Sequence, residues 1–162
     1  MSGIGLKRLQ HLVLWVSDVD RSVRFYCDVL GFEVKARYPN AAFLRIAGST
    51  EDHHLGLFEQ PGVTGPDEGA VRMYHSAWEV GELADLVRAR RRLIEARSLV
   101  GSSDHGVSLS LYAKDPDGLE FEVMWLAPSS SWGDEEHQAI VRPLDLAGDM
   151  ARYGADVTAA GR

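Results

Sequence analysis

The chain has 162 residues, 45% of them hydrophobic, enough to bury a core as one domain or as two small modules that share one. A formal net charge of −7 argues against a nucleic-acid or anionic-membrane surface. A lone Cys27 excludes an intrachain disulfide, and without a signal-peptide core in residues 1–8 or any membrane-length apolar run, a cytoplasmic protein is the expectation.

Residues 9–16 are apolar almost throughout, the pattern of a strand covered on both faces, and His11 is their one ionisable side chain. Alternation puts His11, Val13 and Trp15 on one face. A helix follows. Ser17 and Asp20 have capping-box spacing, Val19, Val23, Tyr26, Cys27 and Leu30 recur at helical period, and Gly31 is its stop. Cys27 lies on that apolar stripe and reads as core filler, not as a nucleophile. Residues 32–38 and 42–46 read as strands around a Pro39-Asn40 turn. Residues 52–58 form a third strand that opens with His53 and His54. The first half is thus βαβββ, over about residues 9–59.

Residues 60–70 hold Pro61, Gly62, Gly65, Pro66 and Gly69 and read as a linker. The element order then recurs over about residues 71–127. A strand over 71–80 carries His75. A helix over 82–96 turns Leu83, Leu86, Val87, Leu93 and Ile94 inward and an arginine-rich face outward. Residues 98–100 and 107–113 are strands, and Ser108, Ser110 and Tyr112 share one polar face. Asp115-Pro116-Asp117-Gly118 is turn chemistry. In the strand after it, Leu119, Phe121, Val123 and Trp125 face one way, and Glu120, Glu122 and Met124 the other. Glu122 is either a rim carboxylate or one turned into a cavity to hold a cation. Residues 128–162 are an extension, with a short helix within 143–153 (Leu144, Leu146 and Met150 on one side) and a frayed tail from Tyr153 onward.

Two imidazoles, His11 and His75, and the Glu122 carboxylate have the composition of a facial triad, which leaves open positions on an octahedral Fe(II), Mn(II), Ni(II) or Zn(II). The absence of nearby cysteines removes thiolate ligation. The segments His11-Leu12-Val13-Leu14, Asp18 to Tyr26, Leu30-Gly31-Phe32, Tyr74-His75-Ser76-Ala77-Trp78 and Asp115-Pro116-Asp117-Gly118 to Glu122 together resemble the vicinal oxygen chelate superfamily. The resemblance implies an α+β fold of two paired βαβββ modules forming an open, cupped mixed sheet around a metal site, a single domain over residues 1–127. It also implies a homo-oligomer, and His11, His75 and Glu122 as metal ligands.

Within that superfamily the chain is most similar to type I extradiol ring-cleaving dioxygenases. The resemblance implies that His53 (His54 if the register slips by one) is a proton-transfer residue, Tyr112 a substrate-side hydroxyl and His105 a further substrate-side residue. It implies Fe(II), with Mn(II) as the alternative, and an aromatic diol and O2 as substrates. An imidazole suits proton transfer near neutral pH, and a phenol stabilises charge developing on a substrate oxygen. Other members of the superfamily are glyoxalase-type isomerases or epimerases, thiol transferases acting on an antibiotic epoxide, and drug-sequestering proteins. Glyoxalase-like enzymes add a fourth ligand, often a glutamate in the strand that here carries His53, and Glu59 is the nearest candidate.

Overall fold

A computed structural model describes residues 3–67 and 69–154. The chain divides into two compact units, Met1–Gly65 and Pro66–Arg162, and the division falls inside the Gly/Pro-rich run. Each unit holds an open, four-stranded mixed sheet backed by helix.

In the first unit, β1 (Leu12–Val16) is followed by α1 (Val19–Asp28), β2 (Phe32–Tyr38), β3 (Ala41–Ile46) and β4 (Leu55–Glu59). The sheet order is β1-β4-β3-β2, with β1 parallel to β4 and the remaining pairs antiparallel. Asp18, one residue later than the expected cap, closes the start of α1 by accepting from the Arg21 amide at 2.8 Å. Asp20 instead pairs with Arg37 at 2.6 Å, which lowers its pKa. Glu59 accepts from the Val19 amide at 3.0 Å, so this carboxylate caps α1 from the end of β4. Val19, Ser22 and Tyr26 are the buried face of the helix, over Leu44, Leu55 and Leu57 of the sheet. Cys27 is half-buried, and burial first, then the charge of Asp28, raises its thiol pKa, as expected of an unreactive thiol. Only one face of β1 is covered: Leu14 and Val16 are buried, whereas Val13 and Trp15 are exposed. The continuous apolar run therefore did not mean a doubly buried strand.

The second unit repeats the order: β5 (Ser76–Glu79), α2 (Leu83–Glu95), β6 (Leu99–Asp104), β7 (Ser108–Lys114) and β8 (Glu120–Leu126), with sheet order β5-β8-β7-β6. β5 runs parallel to β8, and the other pairs are antiparallel. Asp115 makes the β7–β8 turn by accepting from the amides of Asp117 and Leu119 at 2.9 Å each, with Gly118 at φ +83°. Leu83, Leu86 and Leu93 of α2 are fully buried, as are Leu111 and Phe121 of the sheet, and Val123 and Trp125 nearly so. Val87 and Ile94, expected to point inward, are exposed and border a groove beside Leu146 and Met150.

The strands bearing the two histidines are shorter than expected, so His11 and His75 each sit one residue before a strand. Beyond β8, 3₁₀ turns at Ser129–Ser131 and Gly133–His137 lead to α3 (Leu146–Tyr153), capped by Asp145. Tyr153 is not frayed. It is buried, with its ring 5.2 Å from that of Trp125. The rest of the expected tail, residues 155–162, lies outside the described residues. No helix among the described residues is long and apolar enough to cross a membrane.

Candidate active site

In the second unit, strand register assembles the chemistry. Glu122 lies in the centre of its sheet, directly opposite Tyr112 on β7 and Ala77 on β5. Alternation that sends Phe121 and Val123 into the core sends the Glu122 carboxylate to the opposite face, yet the residue is only 9% exposed. His75, two residues before Ala77, reaches the same place. Its Nε2 is 3.2 Å from Glu122 Oε2. Its Nδ1 is buried without a hydrogen-bond partner. A buried carboxylate beside a half-buried imidazole with a free ring nitrogen is a donor set that suits a divalent cation, since nitrogen and carboxylate oxygen both bind such ions without thiolate.

Tyr112 completes this face. Its ring is 5.7 Å from that of His75. Burial first, then the negative charge of Glu122, raises its pKa, so the phenol keeps its proton at neutral pH. His105 sits at the β6–β7 turn and places Nε2 2.8 Å from Tyr112 Oη. Gly101 is opposite Tyr112 on its other side and adds no side chain to the face.

The first unit holds a second pair. The His11 and His53 rings lie 4.6 Å apart. His11 Nδ1 is hydrogen-bonded to Gln10 Oε1. His53 Nδ1 is 2.6 Å from Asp52 Oδ2, and that bond is the first cause of a lowered Asp52 pKa. Phe43 meets the His53 ring edge-on at 5.0 Å. An acceptor on Nδ1 leaves Nε2 of His53 as the nitrogen free to take a proton. His54 is occupied otherwise. Its Nδ1 accepts from the Ile46 amide at 3.2 Å, and its own amide and carbonyl bond Leu44 and Leu12.

Each unit thus brings together two of the expected residues or more: His11 with His53, and His75 with Glu122, Tyr112 and His105. Among the described residues no group of three or more His, Cys, Asp or Glu side chains is arranged to hold a metal ion. Sequence reasoning missed Asp52 as the partner that orients His53, although its adjacency was a usable signal. It also missed Ile140, Arg142 and Glu135, whose contacts with residues 104–106 cross more than 25 positions and leave no periodic trace.

Residues 8–123 match the family model of the Glyoxalase/Bleomycin resistance protein/Dioxygenase superfamily. A catechol-2,3-dioxygenase of Bacillus subtilis (strain 168) is 36% identical over 120 residues, 74% of this chain and 41% of that protein. A lactoylglutathione lyase of Arabidopsis thaliana is 30% identical over 132 residues, 76% of this chain and 46% of that protein. The chain therefore spans less than half the length of these two relatives. Among solved structures, a glyoxalase/bleomycin resistance protein/dioxygenase domain from Frankia sp. EAN1pec has the same fold, with a TM-score of 0.64 at 23% identity over 76% of this chain and all of that one.

Proposed function

Because this chain belongs to the Glyoxalase/Bleomycin resistance protein/Dioxygenase superfamily, we propose that it is an Fe(II)-dependent extradiol dioxygenase that opens a catechol-type ring with O2. The observation that carries the reading is the face shared by His75, Glu122 and Tyr112, where a histidine–carboxylate pair stands beside a protonated phenol. The 36% identity to a catechol-2,3-dioxygenase supports the same chemistry.

In this reading His11, His75 and Glu122 would hold the metal, Fe(II) or else Mn(II). When bound, such an ion acidifies the hydroxyls of a chelated diol and offers a position for O2. The protein supplies the rest. His53, oriented by Asp52, takes a proton from a substrate hydroxyl at Nε2 and later returns it. Tyr112 Oη is a hydrogen-bonding partner for a substrate hydroxyl, and His105 holds the Tyr112 hydroxyl in place. Residues 1–127 form the catalytic domain and 128–162 an extension to it. A cytoplasmic homo-oligomer is part of the same proposal.

The lyase relative favours a second reading, a glyoxalase-type isomerase. Against it stands Glu59, the candidate fourth ligand, which is spent on capping α1. Purified protein loaded anaerobically with Fe(II) and then exposed to air with a panel of catechols separates the two. A yellow semialdehyde product is expected. Turnover of a hemithioacetal with none of any catechol would replace the dioxygenase reading with the isomerase one.

A further inference from the structure

Both nitrogens of His105 are engaged, and the two contacts together dictate where its proton sits. Nδ1 lies 2.7 Å from the carbonyl oxygen of Ile140, and Nε2 lies 2.8 Å from Tyr112 Oη. A carbonyl can only accept, so Nδ1 carries the hydrogen. In the neutral ring Nε2 is then a lone pair, and the Tyr112 hydroxyl must donate to it. The other tautomer would set the Nδ1 lone pair against the Ile140 oxygen and leave a half-buried carbonyl without its donor.

Ile140 belongs to the C-terminal extension and is held in place by its neighbours. Arg142 exchanges two backbone hydrogen bonds with Asp104, at 2.9 and 3.0 Å, an isolated bridge on the outer edge of β6. Its guanidinium donates from Nε to Asp104 Oδ2 at 2.7 Å and from Nη1 and Nη2 to Glu135 at 2.8 and 3.2 Å. Bidentate guanidinium–carboxylate pairs fix orientation as well as charge. The extension is seated closely on Gly106, which has φ +80°. A Cβ there would stand 2.7 Å from Glu135 Oε2 and 3.0 Å from Ile140 Cδ1.

We propose that residues 133–142 are a positioning element for the Tyr112 phenol, with the Ile140 carbonyl fixing His105 as the Nδ1–H tautomer so that Tyr112 donates to Nε2. Tyr112 then meets a ligand as an acceptor of a hydrogen bond. Where the ligand is the diol of the proposed function, the resting site receives a substrate O–H at Tyr112, a detail that rests on that reading. The tautomer assignment does not.

The test is long-range ¹H–¹⁵N imidazole spectroscopy on the ¹⁵N-labelled full chain with no metal added. In the wild type, His105 should show a protonated Nδ1 and an unprotonated Nε2. Arg142→Pro removes the guanidinium and the amide that donates to Asp104, so it frees Ile140 and should convert His105 to a tautomer mixture. Arg142→Met removes only the guanidinium and should give a smaller conversion, which keeps the test readable if the proline variant unfolds. In the iron-loaded protein with catechol, Arg142→Met should lower kcat about tenfold with KM and iron content unchanged, on the scale of a misplaced proton-transfer group. A wild-type His105 protonated on Nε2 overturns the proposal, as does an unchanged tautomer in a folded Arg142→Pro protein. Failure of every catechol to react overturns the dioxygenase reading and leaves the spectroscopic result standing.

Discussion

Two adjacent histidines, His53 and His54, show how little sequence position alone says about chemistry. One residue apart, they have opposite employment. His53 is bonded through Nδ1 to Asp52, is flanked by His11 and Phe43, and keeps Nε2 available. His54 spends Nδ1 on the Ile46 amide between β3 and β4. His53→Phe is therefore expected to reduce catechol turnover at least about 100-fold with bound iron unchanged, the scale for loss of a general base. His54→Phe should leave kcat near wild type and lower stability by about 1 kcal/mol, because it unpairs one backbone donor. Equal turnover in His53→Phe and the wild type would move proton transfer to another group. The sequence made the histidine pair visible and left its order open. What separated the two was a hydrogen bond from β3, eight residues upstream, which no local pattern encodes.

At the level of elements, legibility follows the range of the interaction. The Asp115 turn and the alternation from Leu119 to Trp125 are local, and they placed Glu122 on the face away from the core in agreement with the observed register. The Tyr112–Glu122 pairing also follows, since a tight turn fixes the register of the hairpin around it. The histidine strands were overread because apolar residues beside a site look like buried strand. The extension was least legible, because its contacts with β6 and β8 depend on distant partners. Two measurements address its docking. Tyr153→Ala should cost about 3–5 kcal/mol in chemical denaturation, the range for removing a buried aromatic ring. A loss within 0.5 kcal/mol would mean that the contact with Trp125 contributes little. Glu135 predicts an acid dependence. Its pKa is held below the ordinary 4.5, first by its hydrogen bond to Arg142. A carboxylate with a lowered folded-state pKa contributes its full stabilisation above the unfolded value and loses it as pH falls through the folded one. The Arg142 contact should thus persist down to about pH 4.5 and weaken below it, read from the Gly106 amide resonance. Glu135→Gln should remove that dependence, whereas an unchanged titration would assign it to another carboxylate.

Across the whole molecule, the proposed function requires two units, each with its own sheet and core, to serve one metal. Among the described residues neither unit brings three His, Cys, Asp or Glu side chains together to hold a metal ion. Of the three proposed ligands, His11 lies in the first unit, and His75 and Glu122 in the second. A single shared site makes a specific thermodynamic demand. Metal that binds only the folded protein at 100 times its Kd adds about 2.7 kcal/mol. For a chain of this size that raises Tm by roughly 5–10 °C. If the ligands act as one set, His11→Ala and Glu122→Gln should each abolish that rise, although they lie in different units, and a chelator should return the wild type to the same Tm as either variant without metal. Glu122→Gln should itself fold normally, because the residue faces away from the core formed by Phe121, Val123 and Trp125. A His11→Ala protein that keeps the full metal-dependent rise would confine the cation to the second unit, with His75 and Glu122 as its protein ligands. The first-unit pair would then be left to proton transfer alone. The stoichiometry of bound iron, one per chain for a shared site, checks the same point independently of temperature.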